Sequence, residues 1–247
     1  MKTLIDSVAL LSGLTRPEVI AIAEKAPRTY RKYDIPKKKT GHRRISHPAK
    51  ETKLLQYAVI DLLLAKMPVH HAAVGFIPGL KSPLKENATR HAKNAFMLRA
   101  DFKDFFPSIR PTDFYAALAA APGNLGLEIT TADKEFLKKV LFVKDHDGSL
   151  GLPIGAPTSP IVSNVVMIEL DREIQALSER HDTTYTRYAD DLVFSTSTKD
   201  ISATVLNELN ELLAATAIPN LQLNHDKTHF MSRNCRRAVT GLVITPS

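Results

Sequence analysis

Apolar residues recur at helical spacing through residues 1–26, with Leu4, Val8 and Leu11 in one run and Val19, Ile20 and Ala23 in the next. Thr15-Arg16-Pro17-Glu18 reads as a cap and first turn, so two short helices are expected here. Tyr30, Tyr33, Ile35 and Ile45 then flank a basic run with a turn at Thr40-Gly41, the pattern of a basic β-hairpin. Residues 50–67 carry the period of a buried amphipathic helix that ends at Pro68. A Gly-, Pro- and His-rich stretch follows and reads as a loop as far as about residue 94. The short apolar run from Ala95 to Phe106 reads as a strand with Asp101 at its end.

Beyond it, helical patterns cover about 111–121 and 131–143, and Asp145-His146-Asp147-Gly148 marks a hairpin turn. A proline-rich segment, residues 151–160, opens a helix that runs to about 179. Residues 184–197 hold apolar and aromatic positions on both sides of Asp190-Asp191, as in a β-hairpin with acids at its tip. Residues 201–216 place Val205, Leu206, Leu209, Leu212 and Leu213 on one helical face, and 221–231 and 238–244 read as further strands. Strand, helices, ββ-hairpin, helix and strand in that order predict an α+β fold, an antiparallel ferredoxin-like sheet backed by helices.

Composition narrows the class. The 247 residues include 44% apolar side chains, enough for a sizeable core. A formal net charge of +7 points toward a polyanionic partner such as nucleic acid. The lone Cys235 cannot close an internal disulfide, and the N-terminal sequence lacks the features of a secretory leader, so a reducing cytoplasm is expected. No run approaches the roughly 18 apolar residues of a membrane span, and no membrane association is expected.

Paired acids in a turn are most often solvated turn chemistry, because aspartate tolerates such backbone geometry. Here Tyr188-Ala189-Asp190-Asp191 interrupts an apolar hairpin instead. Carboxylates from two neighbouring strands are natural ligands for hard divalent cations, and cations at such a site serve phosphoryl transfer. Without a cation, three converging acids would repel one another.

The Tyr188–Asp191 turn resembles the YxDD motif of reverse transcriptases, and Arg187 to Ser195 resembles the retron branch of that family. Asp101 followed five residues later by Phe106 resembles the first catalytic motif. Gly151 to Pro160 is similar to the family's LPQGAPTSP stretch, with Ile154 where glutamine is usual. Leu223 to Thr228 resembles a later lysine-bearing motif, and Arg43-Arg44-Ile45 resembles the fingers motif. Asn87-Ala88-Thr89-Arg90-His91 and Val239-Thr240-Gly241 resemble the two retron signatures, NAxxH and VTG.

The resemblance implies a right-hand polymerase: N-terminal helices and fingers over 1–95, a palm over 96–247 with a fingers insertion around 111–150, and no thumb within this chain. It implies Asp101, Asp190 and Asp191 as metal ligands together with the Phe102 carbonyl, two Mg²⁺ ions with Mn²⁺ as a substitute, and Lys227 as a proton donor. It further implies nucleotide contacts from Lys39, Arg43, Phe106 and Gly155, with Phe106 as a gate against ribose, and RNA contacts from Asn87, His91, Val239, Thr240 and Gly241. The implied partners are deoxynucleoside triphosphates, a structured noncoding RNA with its DNA product in a branched hybrid, and an effector protein in antiphage defence. Rival expectations are another reverse transcriptase class, group II intron or diversity-generating, and a noncatalytic RNA-binding scaffold of the same fold.

Overall fold

The structure, a computed structural model, describes residues 2–36, 41–77, 79–121, 125–144 and 148–244. In chain order the elements are α1 (Leu4–Ser12), α2 (Arg16–Lys25), β1 (Tyr30–Pro36), β2 (His42–Pro48), α3 (Lys50–Leu62), α4 (Pro83–His91), β3 (Phe96–Asp101) and α5 (Phe105–Ser108). They continue with α6 (Pro111–Ala120), α7 (Thr131–Leu141), β4 (Val143–Lys144), β5 (Leu150–Gly151), α8 (Ser159–Val166), α9 (Ile168–Arg180), β6 (Thr184–Tyr188) and β7 (Asp191–Thr196). The last are α10 (Ile201–Ala215), β8 (His229–Ser232), β9 (Ala238–Val239) and β10 (Leu242–Val243). They form two compact units, Met1–Pro68 with Phe106–Val166, and Val69–Phe105 with Met167–Ser247.

In the first unit, α1, α2, α3 and α7 pack together. Thr15 with Glu18 forms a capping box on α2 where the sequence suggested, and Thr3, not singled out from the sequence, caps α1. Asp133 is fully buried yet well partnered, accepting from the Ile5 N–H at 2.9 Å and from the Thr130 N–H and hydroxyl. It thereby ties α7 to the N-terminus. The basic hairpin forms as expected, with β1 and β2 antiparallel from Tyr30 opposite Pro48 to Pro36 opposite His42. Only Tyr30 of β1 is buried, where its hydroxyl accepts from Gln56 Nε2 at 2.9 Å. The rest of that strand is solvated, which leaves the hairpin's cationic side chains exposed.

In the second unit, a four-stranded antiparallel sheet has the order β6-β7-β3-β8. Successive side chains alternate between its faces. Leu98, Ala100, Leu192, Phe194 and Tyr185 share one face, and Tyr185 reaches α9 there. Met97, Val193 and Val239 cluster on the other with Ala88 of α4 and Ala92 just beyond it. Because β7 is covered on both faces, its run Leu192–Thr196 is buried throughout, which explains a continuous apolar stretch where simple alternation would serve a one-sided sheet.

The α+β expectation holds, with three local corrections. Residues 83–91 form helix α4 inside the expected loop; its buried face is Asn87 and His91, so hydrophobic periodicity could not reveal it. The helix expected to run to about 179 is two helices that meet at Met167. The expected strand from Leu221 is mostly a loop and a 3₁₀ turn at His225–Lys227, with one isolated bridge between Leu223 and Phe102, and continuous pairing begins at His229. The turn residues Asp145, His146 and Asp147 lie outside the described residues, although β4 and β5 on either side pair as expected.

Candidate active site

Two strands bring the acids to one end of the sheet. Strand β3 runs antiparallel to β7 with Asp101 directly opposite Asp191. Strands β6 and β7 turn through Ala189 and Asp190 alone, since Tyr188 pairs with Asp191. Such a tight connection demands a left-handed residue, and Ala189 adopts φ 54°. The Phe102 N–H donates to the Asp190 carbonyl at 3.0 Å, and the Asn224 N–H donates to the Asp101 carbonyl at 2.7 Å. The Asp190 turn and the Leu223–Thr228 segment are therefore both stitched to the end of β3. Phe102 itself is buried and stacks on Phe105 at 5.6 Å between ring centres.

Two basic residues face these carboxylates. Lys227 Nζ donates to Asp101 Oδ1 at 2.5 Å, and Arg99 grips both Asp191 oxygens at 2.8 Å. Sequence reading overlooked Arg99, although it lies two residues before Asp101 and must share its face of the strand. Burial raises the Asp101 carboxyl above its usual range and the nearby Asp191 charge adds to this, while Lys227 opposes it. Asp190 is pushed up to about 6, first by burial and then by the Asp101 and Asp191 charges.

Among the described residues, no three His, Cys, Asp or Glu side chains stand as a preformed metal cage. Asp101 and Asp191 are held by Lys227 and Arg99 instead. The donor chemistry still fits a divalent cation: hard carboxylate oxygens, partly buried, that raise one another's proton affinity and are relieved by positive charge.

The retron signature residues lie in the same unit. His91 is fully buried between two strands, with Nδ1 2.7 Å from Ser195 Oγ and Nε2 2.7 Å from Thr186 Oγ1. Thr186 also donates to Asn87 Oδ1 at 2.5 Å, and Asn94 donates to Ser195 Oγ at 2.8 Å. Val239 is fully buried in the cluster with Met97 and Val193, while Thr240 and Gly241 turn the β9–β10 hairpin with φ 47° and 89°. The Asn87, His91 and Val239 side chains therefore face the sheet and not solvent.

Burial lowers the His91 pKa from 6.5 to about 3. The unfolded chain takes up that proton near 6.5 and the folded chain only near 3, so stability is full above 6.5 and falls as pH drops through this window. The loss is about 1.4 kcal/mol per pH unit, or about 2 kcal/mol at pH 5. Urea unfolding at pH 7.5 and 5.0 is expected to show this loss in the parent. In His91→Gln the pH-dependent loss is expected to shrink by the same amount, on top of a constant destabilisation.

The remaining candidates lie in the first unit. Arg43 is exposed on β2 opposite Ile35. Lys39 lies outside the described residues. Phe106 is half-buried in α5, its carbonyl accepting from the Leu152 N–H at 3.1 Å. Gly155 has φ 115°, and an added Cβ would lie 3.0 Å from Ile45 Cγ2. Beside it, the Ser46 N–H donates to the Ile154 carbonyl at 2.8 Å, so the proline-rich segment is docked by backbone onto the basic hairpin. The Ile154 position uses its main chain for this bond, which any side chain permits.

Comparison with known proteins bears on the whole chain. Residues 35–243 match the family described as reverse transcriptase (RNA-dependent DNA polymerase). The chain is 37% identical over 252 residues to the retron Ec73 reverse transcriptase of Escherichia coli, covering 98% of this chain and 76% of that protein. It is 31% identical to the retron Ec83 reverse transcriptase of the same organism, covering 93% of this chain and 73% of that one. A solved telomerase from Candida tropicalis, in complex with a fragment of telomeric RNA, superposes with a TM-score of 0.55 at 18% identity. That match covers 90% of this chain and 44% of the telomerase, and shows a shared fold. With a family match across most of its length and a retron enzyme aligned along nearly all of it, the chain belongs to the reverse transcriptases, RNA-dependent DNA polymerases, and among them to the retron type.

Proposed function

We propose that this polymerase copies a structured noncoding RNA into DNA at the end of the β6-β7-β3-β8 sheet, and that Asp101, Asp190 and Asp191 with the Phe102 carbonyl hold two Mg²⁺ ions there, with Mn²⁺ able to substitute. The observation that carries this reading is the pairing of Asp101 with Asp191 across adjacent strands, with Asp190 in the turn beside them. When bound, the ions supply positive charge to the attacking 3′ oxygen and the departing pyrophosphate, deoxynucleoside triphosphates being the substrates. The protein's own groups do the rest. Lys227, whose ammonium lies against Asp101, gives a proton to the departing pyrophosphate in this reading. Arg43 grips the triphosphate as a bidentate donor with Lys39 as helper, Gly155 offers backbone to the nucleotide, and Phe106 excludes a ribose 2′-hydroxyl.

In this reading the first unit, with the insertion around 111–150, acts as fingers, and the second, with the sheet and α4, acts as palm. Asn87, His91, Val239, Thr240 and Gly241 serve RNA recognition by fixing α4 and the β9–β10 hairpin on the sheet, so that the exposed faces of those elements meet the RNA. The product is a branched RNA–DNA hybrid that works with an effector protein in antiphage defence. The retron relatives favour this over the group II intron and diversity-generating classes. Sequencing the nucleic acid that copurifies with the protein tests it: a short branched RNA–DNA species of one sequence is expected. Linear or heterogeneous RNA alone would overturn the retron product. No helix among the described residues is long and apolar enough to cross a membrane.

A further inference from the structure

The second unit buries an ion pair that the chemistry above does not use. Asp171 of α9 and Arg187 of β6 are both fully enclosed. Arg187 Nε donates to Asp171 Oδ1 at 2.8 Å and Nη2 to Oδ2 at 2.6 Å, and the Tyr185 hydroxyl donates to Oδ1 at 2.8 Å. Desolvating two charges costs several kcal/mol per ion, and well-packed apolar residues often fill such a space at equal or better stability. Stability alone is therefore a weak reason for the pair.

Geometry supplies a stronger one. Arg187 Nη1 donates to the Ala189 carbonyl at 3.2 Å. Ala189 is the left-handed residue of the catalytic turn, a conformation disfavoured for a residue with a Cβ, and Asp190 is next in sequence. The arginine's own backbone is fixed as well, its N–H donating to the Ala72 carbonyl at 2.8 Å and its carbonyl accepting from the Val74 N–H at 2.9 Å. Arg187 lies on the sheet face turned to α9, whereas Asp191 and Arg99 lie on the opposite face. It thus supports the turn from behind the acids.

We propose that Asp171 and Arg187 form a positioning clamp for the catalytic turn: Asp171 orients the guanidinium, and the guanidinium holds the Ala189 carbonyl so that the turn keeps its left-handed geometry and Asp190 keeps its place. The clamp rests on Asp190 being the catalytic acid proposed above. Arg187 touches no reacting atom, so its loss acts on the rate of the chemical step and not on the capture of nucleotide.

The test is primer extension by the full chain on an RNA template, with kcat and nucleotide KM measured separately and folding followed by thermal melting. An apolar pair, Arg187→Met with Asp171→Val, made in a Tyr185→Phe background, stays close to the parent side-chain volume, removes both charges and leaves no buried hydroxyl without its acceptor. It is expected to melt near the parent temperature yet lose about 10–100-fold in kcat, with KM changed less than about threefold. Arg187→Lys keeps the charge, but one ammonium cannot replace the fork; about a tenfold loss in kcat is expected, partly restored by adding Ala189→Gly, which relieves the left-handed strain. A folded apolar pair with parent kcat would overturn the clamp. If that pair fails to fold, the decision passes to Arg187→Lys, where parent kcat overturns the proposal and the Gly-rescued loss supports it. Asp190→Asn run alongside separates the two claims, since activity retained there refutes the site assignment itself.

Discussion

Asparagine in place of Asp190 and Asp191 is expected to remove cation-dependent DNA synthesis, a fall of about 1,000-fold or more in kcat, while the protein stays folded. The carboxamide is nearly isosteric, but it carries no charge and is a poor ligand for a hard cation. The single variant Asp190→Asn carries a second, less intuitive expectation. Asp190 ionises near its ordinary 3.8 in the unfolded chain and only near 6 in the folded one, because it is buried beside two other acids. Folding therefore favours the protonated form, and the group's ionisation opposes folding increasingly as pH rises from about 4 to 6 and by a constant amount above that. Asparagine is never ionised. Without divalent cation the variant should be about 1–3 kcal/mol more stable than the parent at pH 7.5, and the gap should close below pH 4. Denaturant unfolding across that range measures it. Lost synthesis together with gained stability separates a functional acid from a structural one.

The second large effect lies at Gly151, at the start of the proline-rich segment. A Cβ there would sit 2.2 Å from the Pro107 carbonyl oxygen and 2.9 Å from two other backbone atoms of that proline. No rotamer change relieves a clash with backbone. Moving the strand away would break the adjacent bond from the Leu152 N–H to the Phe106 carbonyl and the β4–β5 pairing. Gly151→Ala is accordingly expected to cost about 3–5 kcal/mol, the range of severe core disruption. Gly13→Ala makes a contrasting control. Gly13 is left-handed, at φ 69°, as Gly151 is not, and nothing lies within 4 Å of its added Cβ, so only the backbone cost of about 1–2 kcal/mol applies. Equal destabilisation of the two variants would mean that close packing of Gly151 against Pro107 is not what makes it glycine.

The sequence was legible where a single physical demand dominated. The acid turn stood out because two aspartates interrupt strands that are otherwise apolar, and Leu192 to Thr196 are indeed buried on both faces. The two N-terminal helices were legible through their apolar spacing and, for the second, the cap at Thr15. Helix α4 was hidden because its inward face is amide and imidazole, Asn87 and His91, whose burial is made tolerable by Thr186 and Ser195 from strands far along the chain. Nothing within residues 83–91 announces those distant partners. The Asp171–Arg187 pair was hidden for a related reason. An acid in a polar helix and an arginine beside an aromatic both look solvated until the sheet brings them together. Arg99 was the avoidable omission, since strand alternation alone places it beside Asp101.

The central claim is that Asp101, Asp190 and Asp191 share cation binding, and a crystal of the protein soaked in Mn²⁺ with template, primer and nucleotide tests it most directly through the anomalous signal. Manganese is expected on carboxylate oxygens of Asp101 and of the Asp190–Asp191 pair, with Lys227 and Arg99 displaced from their present bonds. Manganese bound elsewhere in an active crystal, with the Lys227–Asp101 and Arg99–Asp191 pairs still intact, would contradict it.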